Sequence, residues 1–424
     1  MKNIVICCDG TGNEISENIS NVLKLYRVLR KTGKTEPLQV VFYDPGVGTL
    51  ARPNPWTKAW QDAITVVGLA TGYGLDDNVL AAYEFLVSRY EEGDNIFLFG
   101  FSRGAYTVRV LAALVHKIGV LAPQQRNLAG AALTAYKQLN AAAESRTSAL
   151  HQSVAVDGAA ERDPEGPLTR DDVASQFARI ASTRWATITF VGVWDTVASV
   201  IVPRPDRFYT FSLEKLAYTQ RNPSVKVFRQ AIAIDERRRM FRLHSWDEPQ
   251  KYMHNRFSLT NNSEPQDTKQ VWFTGVHGDI GGGYPEKESS LSKWPLIWMI
   301  DEAGTCGLTV DPRAVNQLAW GKQRKGSPFS YVAPDTTSDL HDSMTNAWRV
   351  LEWIPKADKY KECGTRRSFF GHYIPDAEPR SIPEGSFVHE SVVKRIQSVS
   401  NYRPINMPSR YQVVPMRPDP AEVV

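Results

Sequence analysis

The chain has 424 residues, 42% of them hydrophobic and 23% charged, a balance that supports a large buried core and excludes a disordered polypeptide. Its formal net charge of +4 comes without any long Lys/Arg run, which excludes a nucleic-acid-binding arm. The four cysteines include the adjacent pair Cys7 and Cys8 but no C-x-x-C spacing, arguing against a zinc site or disulfide framework and for a reducing compartment.

No window reaches about 18 uninterrupted apolar residues, so no spanning helix is predicted. The N-terminal run Ile4-Val5-Ile6 is too short for the core of a signal peptide. The expectation is a cytoplasmic protein without a Sec address, with signal-peptide-independent secretion left open.

In chain order, Ile4 to Cys8 reads as a strand buried on both faces and closed by the turn Asp9-Gly10-Thr11-Gly12-Asn13. A helix over Asn21–Arg30 and a second strand over Leu38–Tyr43 complete the unit that builds parallel sheets. Residues 49–74, with Pro53, Pro55, Trp56 and Trp60, read as a surface loop. The helical face of Asp76–Tyr90 precedes a third strand, Ile96–Phe99, which runs into Gly100-Phe101-Ser102-Arg103-Gly104 and a helix from Ala105 to about His116.

Composition then shifts over about 121–183, read as an insertion with an Ala/Gln-rich helix. Strand character returns from Trp185 to Trp194. A second insertion over about 201–268 is assigned a helix near Val225–Ile234, and Arg237-Arg238-Arg239 after Asp235-Glu236 reads as a helix face of mixed charge. Gln270–Thr274 reads as the last core strand, followed by a helix near Pro295–Ala303. The expected architecture is an α/β-hydrolase: a mainly parallel central sheet with helices on both faces over 1–305, then a C-terminal cap or lid and tail over 306–424.

The chemistry centres on Gly100-Phe101-Ser102-Arg103-Gly104, a match to G-x-S-x-G placed between an apolar strand and an amphipathic helix. Glycines two before and two after the serine let a strained strand-to-helix turn lift the hydroxyl above the sheet. A serine hydroxyl needs a base and an orienting acid, in the chain order Ser, Asp/Glu, His. Asp195 follows the strand ending at Trp194, and His277 follows the strand ending at Thr274, so both should project from the carboxyl edge that carries Ser102.

A turn or helix-capping role is the alternative for Asp195, and His389 is the alternative base. Oxyanion donors are expected from the amide of Arg103 and from Gly10 or Thr11 in the first turn. No cofactor or metal is called for. Cys7 stands where a D-x-D-G-T phosphatase needs its nucleophilic aspartate, Gly10-Thr11-Gly12 lacks a third glycine for dinucleotide binding, and no further ligand cluster joins Asp279 beside His277.

These residues resemble the α/β-hydrolase family that includes the type VI secretion phospholipase effectors and many bacterial and fungal proteins, long catalogued as a domain of unknown function. The likeness rests on Cys8 to Asn13, Gly100 to Tyr106, Gly192 to Val197, Ala233 to Arg238 and Gly275 to Tyr284, in that order over roughly residues 1–305. The resemblance implies a Ser102, Asp195, His277 triad with esterase or phospholipase A chemistry on an ester or lipid. This chain has only about a hundred residues after those blocks, where the secreted effectors carry a large membrane-associating domain.

The function expected is a serine hydrolase of carboxylic esters, lipid or phospholipid, acting through an acyl-enzyme. A non-catalytic binding module on the same fold is the alternative. Arg52 to Trp60, with Trp56, Lys58 and Trp60, is the expected site of peripheral membrane contact. No partner protein is identified by the residues.

Overall fold

The computed structural model describes residues 1–10, 18–34, 36–46, 74–139, 172–197, 201–204, 210–213, 216–254, 263–358, 361–362 and 366–419. Within them, apolar runs make an eight-stranded sheet: β1 (Asn3–Cys8), β2 (Gln39–Asp44), β3 (Asn95–Phe101), β4 (Ile188–Trp194), β5 (Val225–Ala233), β6 (Asp267–Phe273), β7 (Phe387–His389) and β8 (Gln412–Val414). Their spatial order is β2-β1-β3-β4-β5-β6-β7-β8, and every neighbouring pair is parallel. Strand order reverses between β1 and β3, which opens a crevice at their carboxyl ends where α/β sheets bind ligands.

Helices cover both faces. Ile4, Ile6 and Cys8 of β1 pack with α2 (Leu75–Arg89), α3 (Arg103–Lys117) and the short α4 (Val173–Ile180). The alternate residues Val5 and Cys7 pack with α1 (Asn21–Val28), α6 (Ser290–Thr305) and α7 (Pro312–Leu318). Between β6 and α6 lies the short α5 (His277–Gly281). This α/β arrangement is the fold class expected from the alternating apolar runs.

Three readings need correction. The helix expected near Val225–Ile234 is β5, a central strand hydrogen-bonded to β4 and β6. Its Phe-Arg-Gln-Ala segment shows no strand alternation because both faces are buried. Arg229 is paired with Glu302 at 2.6 Å and Asp267 at 2.8 Å, while Gln230 accepts from the Arg109 guanidinium. Gln270–Thr274 is also not the last core strand, since β7 and β8 extend the sheet beyond β6. Each has three residues, too few for a periodic signal, and α9 (Glu390–Ser398) follows β7 directly.

Arg237-Arg238-Arg239 forms no helix face. It belongs to a loop entering a short 3₁₀ turn at Arg239–Phe241. Arg239 is buried there, donating to Glu362 at 2.6 Å and to the Tyr373 hydroxyl at 2.9 Å. Beyond α7, α8 (Asn346–Glu352) and a small antiparallel sheet of Lys356–Ala357, Ser368–Phe369 and His372–Tyr373 lie over this loop. The loop around 52–60 and residues 140–171 lie outside the described residues. No helix among the described residues is long and apolar enough to cross a membrane.

Candidate active site

Gly100 and Gly104 have the close approaches that a sharp turn requires. A Cβ on Gly104 would sit 2.1 Å from the Cys8 carbonyl oxygen, and one on Gly100 would sit 2.4 Å from the Gly104 carbonyl oxygen. Between them Ser102 takes φ +55° and ψ −120°, a conformation that costs a non-glycine residue energy and is held by its surroundings. Its N–H donates to the Trp194 carbonyl at 3.1 Å, tying the turn after β3 to the end of β4. The Asp195 N–H in turn donates to the Ala231 carbonyl of β5 at 2.8 Å, with Asp195 at φ +39°.

These backbone ties bring the three expected residues together at the carboxyl edge. His277 Nε2 lies 2.8 Å from Ser102 Oγ, and His277 Nδ1 lies 2.5 Å from Asp195 Oδ2. An Nδ1–H donating to Asp195 leaves Nε2 free to accept from the serine hydroxyl. Ser102 and His277 are 7% and 6% exposed and Asp195 is fully buried, so the polar chain runs through a mostly dry site. The rings of Phe101 and Phe241 flank the imidazole at centroid distances of 4.7 and 4.9 Å.

Asp195 is held from behind by a residue that sequence reasoning did not single out. Arg380 donates from Nη1 to Oδ1 at 2.6 Å and from Nη2 to Oδ2 at 3.1 Å, and the Ala233 N–H donates to Oδ1 at 3.0 Å. The guanidinium is fixed by the Phe241 carbonyl at 2.7 Å and the Ala233 carbonyl at 3.2 Å. Burial alone would push the Asp195 carboxyl up. The Arg380 charge and the His277 hydrogen bond outweigh it and hold the group well below the usual carboxylate range.

The loop after β5 positions the histidine. The Asp235 N–H donates to the Gly275 carbonyl at 3.1 Å, and Asp235 Oδ2 accepts from the Gly275 N–H at 2.8 Å and the Tyr402 hydroxyl at 2.9 Å. Burial pushes this carboxyl up to about 6 in spite of those donors. Glu236 Oε2 accepts the His277 N–H at 3.1 Å, and both Glu236 oxygens are bound by Arg238. Burial would raise the Glu236 carboxyl, yet its bonds to Arg238 hold it below the ordinary value. The legible signal for this loop was the Asp235-Glu236-Arg237-Arg238 block itself.

Of the expected oxyanion donors, Arg103 opens α3 directly after Ser102, and burial lowers its side chain to about 10. The Gly10 amide instead donates to Asp9 Oδ1 at 2.7 Å, and Thr11 lies outside the described residues. Asp9 also accepts from the Tyr43 hydroxyl at 2.9 Å and from the Ser20 hydroxyl, joining the turn after β1 to β2 and the start of α1. The alternative base His389 is elsewhere. It bonds Ser391 Oγ at 2.8 Å and stacks on Phe273, and burial lowers it to about 3. Asp279 pairs with His341 at 2.6 Å, and no cluster of three or more His, Cys, Asp or Glu suited to a metal occurs among the described residues.

Comparison with known proteins agrees with the blocks around this site. Residues 2–302 match the family model described as the catalytic domain of Tle1-like phospholipase effectors of the type VI secretion system. The chain belongs to the Tle1-like family. A curated relative, the uncharacterized protein YEL023C of Saccharomyces cerevisiae, is 29% identical over 265 residues, covering 61% of this chain and 34% of that protein.

Two solved structures are similar to this Tle1-like chain at TM-scores of 0.37 and 0.34. One is an uncharacterized protein from Pseudomonas aeruginosa, 17% identical and covering 74% of this chain and 47% of that one. The other is a Tle1 effector bound to the VgrG spike of the type 6 secretion system, 18% identical and covering 68% and 52%. The chain thus spans about a third of the length of the yeast relative and about half of each solved chain.

Proposed function

We propose that this protein is a serine esterase acting on lipid or phospholipid by an acyl-enzyme mechanism. The observation that carries the reading is the Ser102, His277, Asp195 chain at 2.8 and 2.5 Å, set on a turn whose serine is held at φ +55°. In this reading Ser102 Oγ attacks the ester carbonyl while His277 Nε2 takes the hydroxyl proton. Asp195, gripped by Arg380 and the Ala233 N–H, keeps the Nδ1 tautomer and steadies the imidazolium. The Arg103 amide at the start of α3 donates to the oxyanion, aided by the helix dipole.

His277 then protonates the leaving alcohol, and a water activated by the same imidazole releases the acid. Membership of the Tle1-like family supports a phospholipid ester over a generic one. The test is labelling by a fluorophosphonate probe together with fatty-acid release from phospholipid vesicles. Wild type should react and Ser102→Ala should do neither. Equal labelling of both would refute the nucleophile, and turnover confined to short soluble esters would refute the lipid substrate.

A further inference from the structure

Five of the fourteen large apolar side chains exposed among the described residues fall within residues 350–370: Val350, Trp353, Ile354, Phe369 and Phe370. They belong to a folded element rather than a loose tail. Tyr373 of the small sheet is fully buried, where its hydroxyl takes a bond from Arg239 Nε at 2.9 Å and gives one to Glu378 at 2.8 Å. Glu352, at the end of α8, accepts the Arg239 N–H at 2.6 Å. Lys356, Tyr373 and Ser368 share the anchored face by register, and Ala357, His372 and Phe369 share the opposite one.

Phe370 and Gly371 form the two-residue tip of the hairpin, at φ +47° and +74°. Such tips favour Asn-Gly, because a bulky residue at positive φ is strained. Here the position holds a phenylalanine that is 100% exposed, a choice that folding alone does not reward. Beside the tip Asp358, whose N–H donates to the Gly371 carbonyl at 2.9 Å, is only partly exposed, and the exposed unpaired charges described within 349–376 are basic. Exposed Arg349 and Arg367 have no carboxylate partner among the described residues, and the Lys361 ammonium bonds the neutral Ser368 hydroxyl. Nearby Asp376 is taken up by Arg366 at 3.2 Å, and Glu362 by Arg239.

The element is continuous with the active site. Trp348 of α8 meets Phe241 edge-on at 5.4 Å, Phe241 meets the His277 ring at 4.9 Å, and the Arg238 guanidinium lies over both Phe241 and Trp348. We propose that this face docks on an anionic phospholipid bilayer. Trp353, Phe369 and Phe370 enter the interface while Arg349 and Arg367 meet headgroup phosphates. Docking would hold the mouth of the site against its lipid; that consequence rests on the esterase reading, and the docking itself does not. The loop around Trp56 and Trp60 that the sequence suggested lies outside the described residues.

The experiment is vesicle flotation of the full chain carrying Ser102→Ala, so that hydrolysis does not alter the lipid. Phosphatidylglycerol-containing vesicles should bind it and pure phosphatidylcholine vesicles should bind it weakly. Trp353→Ser with Phe370→Ser, and separately Arg349→Glu with Arg367→Glu, should each weaken binding roughly tenfold, the charge pair losing its effect at high salt. Soluble-ester turnover by the same pairs in the Ser102 background reports that the fold is intact.

Equal vesicle binding by the Ser102→Ala parent and by the same chain carrying the Trp353/Phe370 pair would overturn the proposal, as would binding to no vesicle. Light scattering that shows the face holding a second copy of the chain, without vesicle binding, would overturn it in favour of a protein contact. Vesicle binding without any ester turnover would sustain the docking while removing the esterase.

Discussion

Replacing Arg380 with methionine isolates the support behind the site. In wild type the two guanidinium contacts at 2.6 and 3.1 Å neutralise a fully buried carboxylate that otherwise has only the Ala233 N–H and His277. Removing one partner of such a pair costs roughly 3–5 kcal/mol, because the remaining charge stays buried. The sign with pH follows from Asp195. Its depressed carboxyl contributes stability above the ordinary value of 3.8, lost only as pH falls through the lower folded value.

Without Arg380, burial is opposed only by His277 and the Ala233 N–H, and the carboxyl rises from its depressed value. Activity needs Asp195 ionised to orient His277, so its acid limb should then move toward neutral. The assay is kcat/KM on a soluble ester across pH, paired with urea unfolding at acidic and neutral pH. The stability deficit of Arg380→Met should shrink as pH falls, since protonating Asp195 removes the unpaired charge. Arg380→Lys, which keeps the charge and loses the two-pronged geometry, should lie between the two and serves if the methionine variant folds poorly. An unmoved acid limb with unchanged stability would refute the reasoning.

Other substitutions test the positioning of the site and the packing around it. Glu236→Ala removes the acceptor of the His277 N–H and the partner of Arg238, and kcat should fall about 100-fold with a smaller change in KM; wild-type kcat would count against that role. Gly104→Ala should destabilise by roughly 3 kcal/mol or more, since its Cβ has no space beneath the Cys8 carbonyl. Gly304→Ala, facing open space near the end of α6, should stabilise by about 0.5–1 kcal/mol in urea unfolding, and a loss there would mean that the added methyl meets a neighbour after all.

Lys293 and Lys24 share Glu286, and burial with the Lys24 charge lowers Lys293 to about 7 from 10.5. Between those values the unfolded chain binds the extra proton, so stability should rise with pH there, while the full cost persists below about 7. Lys293→Met should flatten that rise in the urea midpoint, and an unchanged slope would rule out Lys293 as its source.

Local chemistry made much of this protein legible from its residues. Uniformly apolar runs mark β1, β3 and β4 because those strands are buried on both faces. The elbow is legible because a sharp strand-to-helix turn demands glycines at fixed offsets around Ser102, although what crowds Gly104 is the distant Cys8 carbonyl of β1. Asp195 and His277 could be ranked because each stands just past a strand end, and parallel strands deliver such positions to one edge.

What only the tertiary structure decided involves partners far away in the chain. Arg380 meets Asp195 across 185 positions, and no spacing rule connects a lone arginine to an acid at that distance. Arg229 and Gln230 made β5 look helical because their polarity is satisfied by Glu302 and Arg109, side chains supplied by other elements. The three-residue strands β7 and β8 exist because the sheet edge beside β6 offers unpaired backbone groups. Strand identity there is conferred by the neighbour, and the residues carry too little pattern to announce it.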